Sequence, residues 1–203
     1  MGGDTVGMSI QLLGPPVVRG TDGEPRAPRD RKTWGTLAYL CLADRPPPRQ
    51  SLAGLLFPDV DDPLAAVRWA LASVRRLLDG NVAVGDPVEL HLAAGTMVDL
   101  DIVSRGRWAE AAACPSLGGD LLEGMSFDSL PGFDLWLTSE RRRLRRKAAA
   151  VLREAALASL SQDPERAVEY AERLVTADPF DENHHSGQSS AWTSAVETLR
   201  LLP

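Results

Sequence analysis

The chain has 203 residues, 44% hydrophobic and 25% charged, with a net charge of −6. That length and balance suit one large or two small globular domains with a real core. They exclude a strongly sequence-independent nucleic-acid binder, because overall charge cannot supply the attraction. No apolar run approaches the ~18 residues of a membrane span. Met1-Gly2-Gly3-Asp4 lacks the basic and apolar regions of a signal peptide, so a cytoplasmic location and no membrane partner are expected.

Ser9-Ile10-Gln11-Leu12-Leu13 alternates weakly and Val17-Val18-Arg19 follows Gly14-Pro15-Pro16. The dense turn signal Gly20-Thr21-Asp22-Gly23 marks both runs as short strands. Three helical runs come next. In the first, Trp34, Leu37, Leu40 and Cys41 share a face, and the run stops before Pro46-Pro47-Pro48. Leu52, Leu55 and Leu56 mark a short second helix, ended by Phe57-Pro58. Asp61 or Asp62 can cap the third, with Pro63 in its first turn. Its apolar stripe is Leu64, Val67, Leu71, Val74 and Leu78, and it ends at Asp79-Gly80. Val82-Ala83-Val84, Gly85-Asp86-Pro87 and Val88-Glu89-Leu90-His91-Leu92 then read as a hairpin. Residues 8–96 are therefore expected to form a short sheet, three helices and a hairpin wing, a winged helix-turn-helix.

A second part begins near Val98-Asp99-Leu100-Asp101, and residues 98–183 are expected to be wholly helical. Ile102 to Ala113 reads as one helix and Cys114-Pro115-Ser116-Leu117-Gly118-Gly119 as a loop. A long helix from Phe133 to Leu160 turns Leu137, Leu144, Ala148, Leu152 and Ala155 inward. Gln162-Asp163-Pro164-Glu165 starts another, with Ala167, Tyr170, Ala171 and Leu174 on its packed face and Asp178-Pro179 at its end. Such small-residue packing is that of a tetratricopeptide-type helix pair. Ser186-Gly187-Gln188-Ser189-Ser190 breaks the pattern before a short amphipathic run from Ala191 to Leu202. The fold class is thus mainly α with a small β part: a winged helix-turn-helix, then an all-α tetratricopeptide-like domain cut short, then an atypical tail (186–203).

The most informative stretch is Gly119-Asp120-Leu121-Leu122-Glu123-Gly124, followed by Phe133-Asp134-Leu135-Trp136-Leu137 and Glu140-Arg141. It is a tight glycine turn followed by an aromatic anchor at the mouth of a long helix, with Phe133 and Trp136 expected to be largely buried and to hold that helix against the turn. This pattern resembles the bacterial transcriptional activator domain, which follows a winged-helix DNA-binding domain in the antibiotic regulatory protein family of actinomycetes. Val98-Asp99-Leu100-Asp101 resembles the junction of that family, and Phe57-Pro58-Asp59 its usual Trp-Pro-Asp. The usage of twenty Arg against two Lys, and of only two Asn, fits a GC-rich genome. The resemblance implies a winged helix over 8–96 and an activator domain over 97–185. It further implies promoter DNA as ligand, protomers side by side on repeats as a homodimer, and contact with RNA polymerase or its sigma factor. The regulated genes would belong to a secondary-metabolite cluster.

Candidate DNA-contacting residues follow from the third helix. Its buried stripe leaves Trp69, Ser73 and Arg76 on the opposite face, with Arg68 and Arg75 on the flanks; Arg49 opens the second helix. Arginine bonds guanine edges bidentately or neutralises phosphates, and a helix fits the major groove. The bland alternative is a solvated face with ordinary arginines. Where the family often has Ser-Arg before Leu-Arg, this chain has Ala72-Ser73-Val74-Arg75, so one basic contact is missing. Residues 1–100 carry ten Lys/Arg and twelve Asp/Glu, a net of −2. The attraction must therefore come from locally clustered arginines.

The basic run Arg141-Arg142-Arg143-Leu144-Arg145-Arg146-Lys147 could bind phosphate, but Leu144 keeps step with Leu137 and Ala148, which marks a solvated or protein-contacting face. Glu140 and Glu154 are available to pair with it. His184-His185 beside Asp181 and Glu182 has no further ligand at metal spacing. Cys41 and Cys114 fit no metal pattern, and Cys41 reads as a buried free thiol. No nucleophile elbow or phosphate loop is present, so no enzyme activity, cofactor or metal is expected. The leading expectation is a sequence-specific DNA-binding transcriptional activator. Its rivals are a protein-interaction or regulatory module whose winged helix no longer binds DNA, and a regulator with a ligand pocket between helical hairpins.

Overall fold

The computed structural model describes residues 7–28, 30–80 and 82–177. In chain order it has β1 (Ser9–Gln11), β2 (Val17–Arg19), β3 (Pro25–Arg26), α1 (Arg31–Leu42), α2 (Arg49–Leu56), α3 (Pro63–Leu77), β4 (Ala83–Val84), β5 (Glu89–Leu90) and β6 (Met97–Val98). The helices α4 (Asp99–Arg105), α5 (Trp108–Ala112), α6 (Pro131–Ser159) and α7 (Pro164–Ala177) follow. This is a winged helix followed by an all-α part.

The larger sheet has the order β3-β2-β1-β6. β1 pairs antiparallel with β2, placing Ile10 opposite Val18, and parallel with β6, placing Ile10 opposite Val98. All three side chains are buried, while Ser9 and Gln11 are only half-buried, as alternation in a one-sided sheet requires. The strands β3 and β6 were not evident in the sequence. At two residues each, they are too short to show a period.

Asp30 caps α1, its carboxylate accepting from the Lys32 and Thr33 amides. Trp34, Leu37 and Leu40 are buried as their spacing demands. Asp62 caps α3 by accepting from the Ala65 amide at 2.8 Å, and Pro63 takes the first helical position, where a missing N–H leaves no bond unmade. At the other end Asp79 adopts a left-handed φ of 51°, and the Gly80 amide reaches back to the Arg75 carbonyl at 3.0 Å. That closure satisfies a carbonyl the helix end would otherwise leave open. The packed stripe of α3 is Val67, Ala70, Leu71, Val74, Leu77 and Leu78. Leu64, expected within it, is 40% exposed. A 3-4-3-4 stripe drifts around a straight helix of 3.6 residues per turn, so the face that meets α1 and α2 takes in Leu77 and leaves Leu64 out. β4 and β5 form the expected hairpin, tied to the α1–α2 connection by the Val88 amide bonding the Pro47 carbonyl at 2.8 Å.

The expected helix from Ile102 to Ala113 is broken into α4 and α5. Gly106 stops the first piece, with its amide bonded to the Asp101 and Ile102 carbonyls. A Cβ there would lie 2.3 Å from the Ile102 oxygen, so only glycine fits. α6 starts two residues earlier than expected, at Pro131. Its buried residues include Phe133, Leu137, Leu144, Ala148, Leu152 and Ala155, and α7 packs against it through Ala167, Tyr170 and Leu174. The run after Ala177, with His184, His185 and the tail, lies outside the described residues.

All named elements after Val98 are helices, but the second part also joins the sheet of the first, through Val98 in β6 and a bridge between Leu121 and Leu13. Beyond β6, the turn at 119–124 docks edge-on against the exit of β1. The Gly14 amide bonds the Asp120 carbonyl at 2.8 Å, the Leu122 amide the Leu12 carbonyl at 2.9 Å, and the Glu123 amide the Gly14 carbonyl at 3.1 Å. A Cβ on Gly119 would stand 2.7 Å from the Gly14 nitrogen, which explains a glycine at that point of the motif. Asp99 locks the same joint. Buried among apolar side chains, its carboxylate accepts from the Leu12 amide (2.9 Å), the Leu13 amide (2.8 Å) and the Ser116 hydroxyl (3.0 Å).

The aromatic anchor was expected to hold α6 against the 119–124 turn. Instead it holds α6 against α1. Phe133 packs on Phe127 at 4.6 Å and on Trp136 at 5.0 Å, and Trp136 meets Tyr39 of α1 at 5.0 Å. Phe133 is fully buried but Trp136 only half-buried. The grip on the turn belongs to Arg141, which donates to the Leu121 and Leu122 carbonyls at 2.8 and 3.0 Å, and to Arg145, which clasps Asp120 at 2.8 and 2.6 Å.

Candidate nucleic-acid interface

With its apolar stripe against α1 and α2, α3 turns a ridge of Ala65, Trp69, Ala72 and Arg76 away from the core. Trp69 is 72% exposed, and Arg68 and Arg76 are exposed as well. The Arg76 guanidinium donates to the Ser73 hydroxyl at 2.9 Å, which fixes its direction from within its own helix. Ser73, expected as a contact residue, is half-buried at the edge of the ridge and acts on Arg76. Arg68 lies 3.6 Å from Asp62 with both groups largely in solvent, a pairing worth little in stability.

Two of the expected arginines are engaged internally. Arg75 is half-buried, and its Nε donates to the Leu71 carbonyl at 3.2 Å. Arg49 donates its amide to Asp86 at 2.9 Å and its Nε to the Gly85 carbonyl at 3.0 Å, clipping the start of α2 to the tip of the wing. The structure thus brings Trp69 and Arg76 together, with Arg68 beside them, and gives Ser73, Arg75 and Arg49 supporting bonds.

Sequence reasoning missed Arg26. It sits in β3 between Asp22 (2.7 Å) and Asp79, so it links the sheet to the C-terminal end of α3. A two-residue strand carries no pattern from which that could be found. Arg26, Thr33, Ser73 and Arg76 line a shallow groove of about 380 Å³ beside the ridge. At the other end of α3, Asp59, Asp61 and Asp62 are exposed and make the helix entrance acidic.

In the basic run of α6, Arg141 and Arg145 hold the 119–124 turn and Arg143 pairs with Glu140 at 2.7 Å. Arg142, Arg146 and Lys147 are exposed. Burial, with Asp101 and Asp99 nearby, pushes the Cys41 thiol up to about 12, leaving it protonated and unreactive although part of its residue surface is open. No cluster of three or more His, Cys, Asp or Glu side chains suited to a metal occurs among the described residues. No helix among them is long and apolar enough to cross a membrane.

Residues 98–192 match the family model of the bacterial transcriptional activator domain. The matched stretch begins where the winged helix ends. That order of parts is the one the resemblance to the antibiotic regulatory protein family implies. A search of curated proteins finds no match. Among solved structures, Mycobacterium tuberculosis EmbR in complex with a low affinity phosphopeptide is similar at a TM-score of 0.46 and 19% identity. The similarity covers 95% of this chain and 58% of that one, so the chain spans somewhat over half its length.

Proposed function

We propose that the chain is a sequence-specific, DNA-binding transcriptional activator. Residues 8–96 serve as the DNA-binding unit and 97–185 as the activator unit. The observation that carries the reading is the outward ridge of α3, where Trp69 and Arg76 project from a helix whose opposite face is locked into the core. A capped 15-residue helix presenting a guanidinium and an aromatic ring has the form needed to enter the major groove. Arg68 beside the ridge suits a phosphate. Arg49 contributes indirectly by setting the position of the wing.

The activator unit would present the DNA-bound complex to RNA polymerase or its sigma factor. Protomers would bind side by side on promoter repeats, in the cytoplasm, at genes of a secondary-metabolite cluster. The continuous joint at Asp99 and the 119–124 turn supports this reading, because a rigid link holds the activator unit at a fixed attitude to the bound DNA.

A second reading, a protein-interaction module that no longer binds DNA, is favoured by one feature. Asp59, Asp61 and Asp62 crowd the entrance of α3, and Asp62 faces Arg68. A salt titration on promoter fragments separates the two. DNA binding predicts an affinity that falls linearly in log–log form with salt, and a slope reduced by about one when Arg68 is replaced by Ala. Binding that is absent at all salt concentrations supports the interaction module.

A further inference from the structure

The ridge of α3 holds an anomaly of side-chain size. Trp69 leaves 72% of its surface in water, while its neighbours on the ridge are the methyl groups of Ala65 and Ala72. A long helical side chain leans over the turn N-terminal to its own Cα, and beneath Trp69 that turn carries only the small side chains of Ala65 and Ala66. Nothing of comparable size competes with the indole for whatever the ridge meets. Farther along, Arg76 is steadied by Ser73 at 2.9 Å. The ridge therefore offers a flat apolar face with one N–H donor and no acceptor, and then a guanidinium.

We propose that Trp69 reads the C5-methyl group of thymine in the major groove, a specificity that rests on the reading of α3 as the DNA-contacting helix. Thymine is the base that projects a methyl there. Cytosine in the same place presents an amino donor for which the indole has no acceptor. Trp69 thus selects T over C. Arg76 has the donor fork that guanine O6 and N7 accept. The two residues are seven apart, a rise of about 10.5 Å along the axis. With α3 lying along the groove, the thymine and the guanine are separated by about three base pairs at ~3.4 Å each.

The experiment uses the full chain to select duplexes from a random pool, then replaces the selected thymine by deoxyuridine, which removes only the methyl. The parent should lose affinity by about fourfold, the worth of one buried carbon. Trp69→Ala should bind the two duplexes equally, and Trp69→Phe, which keeps an apolar ring, should retain most of the discrimination. Arg76→Ala should weaken both duplexes by the same factor. Failure to select any sequence, or an Arg76→Ala variant that binds like the parent, overturns the reading of α3 and this proposal with it. If Arg76→Ala weakens binding but the parent holds the deoxyuridine duplex as tightly, the proposal alone is overturned. A Trp69→Ala variant that binds the thymine duplex as tightly as the parent overturns it equally. Matching thermal melts of the variants confirm that the fold is unchanged.

Discussion

Replacing Asp99 by Ala should loosen the joint between the winged helix and the helical part. In the parent, the carboxylate takes bonds from the Leu12 amide at 2.9 Å, the Leu13 amide at 2.8 Å and the Ser116 hydroxyl at 3.0 Å. Ser116 keeps Cys114 Sγ within 3.4 Å and can turn to it, so its loss counts for little. The two amides, in contrast, lose their side-chain acceptor in a buried place. Each buried donor left unmade costs about 1–3 kcal/mol, and removing a buried charge offsets part of that, so the net loss is about 2–4 kcal/mol. For a chain of this size that lowers the melting temperature by about 4–16 °C. Urea denaturation followed by far-UV circular dichroism measures it. A shift below about 0.5 kcal/mol would show that the carboxylate is not what holds the joint.

Asp99 also gives the joint a pH dependence. Burial raises its carboxyl above the ordinary 3.8, against the lowering effect of the Leu13, Leu12 and Ser116 hydrogen bonds. The folded chain therefore binds this proton more readily than the unfolded chain. The corresponding stability is fully present below the unfolded value and is lost as pH rises through the folded one. Asp99→Asn cannot take up the proton, so its deficit relative to the parent should widen as pH falls from 7 towards 4. A deficit constant across that range refutes the sign.

The other predictions concern packing and binding. Trp136→Ala should cost about 2 kcal/mol, below the 3–5 kcal/mol of a fully buried ring, because Trp136 is half-buried against Tyr39 and Phe133; an unchanged denaturation midpoint would place the ring outside the core. Gly106→Ala should destabilise the α4–α5 bend by more than the few tenths of a kcal/mol usual for a surface change, since its Cβ meets the Ile102 oxygen at 2.3 Å, and a thermal melt equal to the parent's would contradict it. Arg76→Ala should leave thermal stability nearly intact and weaken operator binding by about 1–3 kcal/mol, whereas Leu71→Ala should lower stability and binding together. Arg75→Ala should affect binding less than Arg76→Ala, because Arg75 is bonded to its own helix, and equal losses in an anisotropy titration would refute the assignment.

The elements that the sequence by itself determined are those governed by local periodicity and end chemistry. Residues 131–159 and 164–177 show their helical period and their inward faces because α6 and α7 bury one continuous stripe each. Asp62-Pro63 announces the start of α3 through capping, and Asp79-Gly80 its end through a turn that favours left-handed backbone. The outward placement of Trp69 and Arg76 followed from the same arithmetic. Tertiary structure decided what depends on partners distant in the chain. β3 and β6 exist only because β2 and β1 offer them bonds. The exclusion of Leu64 and the inclusion of Leu77 depend on where α1 and α2 press against α3. The roles of Arg49 and Arg75 turned on acceptors 36 residues away in one case and on the same helix in the other. Most of all, the Gly119–Gly124 motif and Asp99 were visible as residues but not as a joint, because their partners lie at Leu12, Leu13 and Gly14. A hydrogen bond spanning 87 residues leaves no period in the sequence to read.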